Sequence, residues 1–202
     1  MAITITKAEI LVVVNARLGR AETDIDEEIR SALYDISSRG NFLLTESNTS
    51  TVDGTENYAF PDNCKQVLWI VIDEGKDGKR TDPFVKISFA EYLQKMNDHD
   101  SGNEDEPNLY AIHNKYIYPY PVPDDVYVMS QYYSRYHPNS VATILFDEPF
   151  REAVYEMTMV KVCEHFQLWD DAKLHAGLFA TELAKLLVNV EKPPSSTRNN
   201  DI

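Results

Sequence analysis

The sequence predicts an α+β fold: a helical bundle formed by N- and C-terminal helices, a β-rich insertion between them, and an extended C-terminal tail. Three observations predict it. Apolar residues recur at helical spacing over long stretches only in residues 1–40 and 147–190. Between these stretches the pattern turns to alternation and short apolar runs, and residues 107–138 hold eight of the twelve tyrosines. Residues 191–202 are rich in Pro, Ser and Asn and contain almost nothing to bury. The predicted division is therefore residues 1–40 with 147–190 as the bundle, 41–146 as the insertion, and 191–202 as the C-terminal arm.

At the amino end, Thr6 and Glu9 form a capping-box pair that opens a helix, and Gly19 supplies its stop. Ile10, Leu11, Val14 and Leu18 share one face. A second helix is expected from Thr23 or Asp24, because Asp24, Asp26, Glu27 and Glu28 complement the positive end of a helix dipole. Ile25, Ile29, Ala32, Leu33 and Ile36 make its buried stripe, and Gly40 ends it. Together these two elements make an αα-hairpin.

After Gly40 the period changes. Residues 42–45 and 57–60 read as short strands around a polar turn at Asp53 and Gly54. Residues 67–72 are apolar without interruption, which predicts a strand buried on both faces. A turn over 74–78 leads to a partner strand over 84–87. Ser88 and Glu91 then repeat the capping-box spacing and open a short helix to about Asn97. An acidic loop, 98–106, precedes the tyrosine-rich segment. Pro119, Pro121 and Pro123 lack a backbone N–H, so this part is expected at an edge or between strands. Residues 126–136 alternate as one long strand.

Asp147 caps a long helix whose inner face is Phe150, Ala153, Val154, Met157 and Val160. Asp170 or Asp171 starts the last helix. Its residues Ala172, Ala176, Phe179, Leu183, Leu186 and Val190 are spaced by four and three, a seam able to pack on another helix of this chain or of a neighbour. No internal repeat is visible.

Composition narrows function. With 202 residues, 43% hydrophobic and 26% charged, the chain describes an ordered globular protein. Its net charge of -14 opposes tight binding to a phosphate backbone. Cys64 and Cys163 are too few for a disulfide framework, and the amino terminus lacks the basic and apolar regions of a secretory signal. No stretch approaches membrane-spanning length. Assembly in a cytosol is the expected setting.

Candidate chemistry is sparse. The acidic loop fails the EF-hand spacing, because a loop counted from Asp98 puts Asn103 where Gly is needed and Leu109 where Glu is needed. Cys163, His165 and His175 match no zinc spacing. The glycines form no phosphate-binding or nucleophile-elbow motif. Tyrosines at 110–136 are interleaved with only Lys115 and Arg135 as bases, so sheet packing and protein contact are better readings than nucleotide stacking. No catalytic residue, metal or cofactor is assigned.

The order of elements carries a resemblance. An αα-hairpin ends in Ser38-Arg-Gly-Asn-Phe42, and Tyr58-Ala-Phe-Pro-Asp62 precedes Val67-Leu-Trp-Ile70. Pro107-Asn-Leu-Tyr-Ala-Ile112, Tyr118-Pro-Tyr-Pro-Val-Pro-Asp124 and a strand ending in Tyr-Tyr-Ser-Arg135 follow. Phe146-Asp-Glu-Pro-Phe-Arg-Glu-Ala153 then opens the paired helices. This layout resembles the head-to-tail adaptor (connector) proteins of tailed bacteriophages. The resemblance implies a non-enzymatic virion protein, assembled in the host cytoplasm and placed in the neck between capsid and tail. It further implies a homo-oligomeric, dodecameric ring between the portal protein and a tail or nozzle protein. Double-stranded DNA would pass through the lumen without specific binding, and no membrane is involved. On this reading Phe179, Leu183, Leu186, Tyr132 and Tyr133 are expected at inter-subunit contacts. Lys192, Pro193, Pro194, Arg198 and Ile202 are expected to bind the portal. The competing expectation is a calcium- or carbohydrate-binding structural module of a tail or surface protein, built on the acidic loop and the tyrosine sheet.

Overall fold

The computed structural model describes residues 4–73, 83–98 and 104–190. The fold is α+β, and the chain forms two compact units, Met1–Leu43 with Tyr136–Ile202, and Leu44–Arg135.

In the first unit, helix α1 (Lys7–Leu18) begins on a complete capping box. The Glu9 N–H donates to Thr6 Oγ1 at 3.2 Å, and the Thr6 N–H donates to Glu9 Oε2 at 2.9 Å. The Thr6 N–H bond, joined by one from the Thr6 hydroxyl to the same oxygen at 3.0 Å, holds the Glu9 carboxyl below its ordinary range. Gly19 ends the helix in the left-handed region, at φ 64°. Helix α2 (Asp26–Arg39) starts two residues later than its acids suggest, because Asp24 stays outside and its Oδ1 accepts from the Asp26 N–H at 3.3 Å. Gly40 ends α2 in extended backbone, so its role is spatial: a Cβ there would lie 2.5 Å from the Phe42 ring.

The chain returns to this unit at Tyr136. Residues 136–146 pack with the helices, and Ile144 and Phe146 lie in their core. Asp147 is extended and makes no side-chain cap; a short 3-10 turn, Glu148–Phe150, leads into α4 (Arg151–His165), followed by α5 (Trp169–Val190). The sequence suggests one inner face for α4. The structure buries every residue from Ala153 to Val160, and Val162 and Cys163 as well. The reason is its position, since α1, α2 and α5 all pack on it.

The second unit is layered. Strands β1 (Leu44–Ser50), β2 (Tyr58–Ala59), β3 (Cys64–Asp73) and β4 (Val85–Lys86) precede helix α3 (Phe89–Asp98). Strands β5 (Leu109–His113), β6 (Tyr116–Tyr120) and β7 (Val128–Arg135) follow. One sheet has the order β1-β7-β3, and the other β2-β6-β5-β4. Val67, Ile70 and Ile72 of β3 and Met129 of β7 share a core with Tyr58, Tyr110 and Ile117 of the second sheet. On that sheet's other side, α3 packs Tyr92 against Ala111 and Tyr120. Its start keeps half of the expected capping box, the Glu91 N–H donating to Ser88 Oγ at 3.1 Å. Burial, reinforced by Glu56 and Tyr118, pushes the Tyr92 phenol up to about 12.

Three sequence expectations change here. β1 runs to Ser50 through polar residues, held by its ladder to β7 and by side-chain bonds such as Ser130 Oγ to Asn48 Oδ1 at 2.9 Å. Residues 67–72 are not buried throughout: a register shift between Val67 and Trp69 turns Trp69 outward, leaving it 43% exposed. Pro119 sits inside β6, an inner strand. It is tolerated because β2 pairs only with Tyr116 and Ile117, so the sheet is one strand narrower beside Pro119.

Candidate interaction surfaces

Three helices meet on one carboxylate. Glu156, on the buried helix α4, is 6% exposed. Its Oε1 accepts from Arg17 Nη1 of α1 at 2.6 Å, and its Oε2 lies 2.6 Å from His175 Nδ1 of α5. Arg17 also reaches Glu152 at 3.3 Å. A lone buried carboxylate would cost several kcal/mol, roughly, and would not stay ionised. With both oxygens engaged it becomes a fixed anchor that orients α1 and α5 on α4. Further out, Lys161 joins α4 to Asp35 of α2 at 2.6 Å, and His165 contacts Glu28 at 2.6 Å.

The anchor sets which face α5 turns inward. Ala172, Phe179 and Leu186 are buried in the core of their own chain, and Leu183 is half-buried against it. The Arg39 guanidinium lies over the Phe179 ring, 5.4 Å from its centroid. Phe179, Leu183 and Leu187 help line a groove of about 460 Å³ whose charged rim includes Asp35, Arg39, Lys161 and Glu164. On the opposite face of α5 no described residue covers Leu174, Leu178 and Val188, which are exposed. Helix α1 also turns an apolar side chain outward, Val12, with exposed Ala8 and Ala16 one turn to either side.

A second apolar surface lies on the β1-β7-β3 sheet. Trp69 stacks on Tyr132 with centroids 5.2 Å apart and planes at 23°. Leu44 and Leu68 join them around a shallow groove of about 300 Å³. Tyr133, the next residue on β7, is buried, and burial raises its phenol pKa. The two tyrosines therefore take opposite faces of one strand, as strand geometry requires. Tyr132 is the one on the outward side, stacked on Trp69.

Among the described residues, no group of three His, Cys, Asp or Glu side chains is placed to hold a metal ion. Cys163 is in the core, whereas His165 and His175 turn to different carboxylates. Burial pushes the Cys64 thiol up to about 11, and burial with Asp171 raises that of Cys163. Of the acidic loop, Asp98 and 104–106 are described. Nearby, Tyr127 donates its phenol to Asp124 at 2.7 Å, and that bond raises the Tyr127 pKa. No described helix is long and apolar enough to cross a membrane. Lys192, Pro193, Pro194, Arg198 and Ile202 lie outside the described residues.

The outward face of α5 and the Glu156 anchor escaped the sequence reading for different reasons. Leu174, Leu178, Thr181, Lys185 and Val188 repeat the four-and-three spacing of the inner seam, so that signal is present in the chain. Arg17 and Glu156 are 139 positions apart, and no local pattern announces such a pair.

No curated protein matches this chain. The family model for the SU10 adaptor protein matches residues 5–200, nearly the full length and both compact units. The chain belongs to the SU10 adaptor protein family, a family of phage head-to-tail adaptors.

Proposed function

We propose that this chain forms a dodecameric ring in the virion neck, seated between the portal and the tail, with a lumen through which DNA passes. The full-length family match is the observation that carries this reading. The helices act as one bundle that supplies most of the contact between copies, and the sheet face at Trp69 and Tyr132 adds to it. Phe179, Leu183 and Leu186 serve that contact by seating α5, with Leu183 at the rim where a neighbour would arrive. The tail, 191–202, reaches for the portal through Lys192, Pro193, Pro194, Arg198 and Ile202. It follows α5 directly, and its composition suits an arm that orders on a partner.

The role needs no reaction. A net charge of -14 gives phosphates little to grip, so DNA would slide past an acidic wall. A closed ring requires a heterologous interface, one patch of each copy against a different patch of the next. Deleting residues 191–202 tests the tail assignment. The truncated chain should keep its fold by circular dichroism and fail to join portal rings; undiminished portal binding would refute the assignment.

A further inference from the structure

We propose that the ring is closed by the outward face of α5 in one copy packing antiparallel on the outward face of α1 in the next. This rests on the adaptor reading and specifies its interface. Helix α5 carries two apolar seams. The inner one is filled by its own chain, while Leu174, Leu178 and Val188 of the outer one are 61%, 44% and 61% exposed. A helix apolar on two sides is made for two neighbours, and among the described residues only the inner side has one. The occupant is a second copy, and two observations select it. First, copies that each carry a net charge of -14 repel wherever carboxylates meet, yet Leu174 to Thr181 contains no Asp, Glu, Lys or Arg. Second, α1 offers a matching strip in the same unit: Val12, 69% exposed, lies between the small exposed residues Ala8 and Ala16. Laid antiparallel, Val12 meets Leu178 and Ala16 meets Leu174, a large side chain over a small one. The same alignment brings Arg20, just past the Gly19 cap of α1, toward Asp170 in the first turn of α5, a basic group against an acidic helix start. Asp170 has its side chain fully exposed, with Lys173 3.6 Å away. The Arg20 guanidinium rests over the Phe166 ring at 4.8 Å.

Cysteine cross-linking on portal rings tests this contact. After mild oxidation, the double variant V12C/L178C should give a ladder of covalent oligomers on a denaturing gel, and V12C alone none. A portal-bound double variant without a ladder overturns the proposal and leaves the adaptor reading standing. So does efficient dimerisation of L178C alone, which would mean α5 pairing with α5. Charge exchange supplies an independent measurement. R20D and D170R should each reduce loading onto portal rings, and together restore it; two reversals no better than one overturn the register. If the unmodified chain never loads, the adaptor reading and this interface fail together.

Discussion

Helices α4 and α5 follow one another in the chain and treat their side chains in opposite ways. α4 contains Glu156, Thr158 and Lys161, yet it is buried around most of its circumference. α5 is richer in leucine and alanine, yet Leu174, Leu178 and Val188 face outward. Hydrophobicity alone does not decide burial; the number of neighbours does. α4 has three helices around it and can bury even a carboxylate, because Arg17 and His175 answer both oxygens. Among the described residues α5 has one filled side, and its surplus of apolar surface is where we place the neighbouring copy.

The contrast can be broken by mutation. Met159→Ala on α4 should cost about 2–5 kcal/mol in urea unfolding, since the side chain is buried and leaves a cavity. Leu178→Ala on α5 should change monomer stability by no more than about 0.5 kcal/mol. Equal losses at the two sites would mean that α5 is covered within the monomer. The next effect is at the anchor. Glu156→Ala should cost roughly 2–3 kcal/mol, less than loss of a fully buried partner, because the Arg17 side chain is 32% exposed and keeps Glu152. Amide exchange should accelerate in α5 more than in α2, and a uniform rise would remove the anchor role.

Smaller effects sharpen the role of local signals. Thr6→Ala removes the cap of α1 and should cost about 1 kcal/mol, measured by thermal unfolding. The smallest is a pH effect. Glu9 has a folded pKa below the ordinary 4.5, so the deprotonated form is favoured by folding. Its contribution is present above 4.5 and fades as pH falls through the lower folded value. The stability gap between the native chain and Glu9→Gln should therefore narrow on acidification, and a gap that widens would contradict the capping geometry.

What was legible in the sequence was local. The capping box at Thr6 and Glu9, the stop at Gly19 and the stripe from Ile29 to Ile36 all depend on residues within a turn or two. Features that depend on distant partners were not legible. Polar residues Glu46 to Ser50 form strand because β7 lies beside them, and Trp69 faces out because of a bulge within β3. Pro119 stands inside a sheet because its neighbour β2 is short. The Glu156 anchor joins three helices far apart in the chain, and composition treats its members as ordinary charges. For the outer seam of α5 the spacing was readable, but the sequence does not say which of two seams the chain itself will fill.

Imaging an intact virion neck at side-chain resolution tests the central claim most directly. The account predicts a closed ring of this chain between portal and tail, with Leu174 and Leu178 of each copy covered by α1 of the next. A neck that lacks the chain, or a ring that leaves those leucines in solvent, would contradict it.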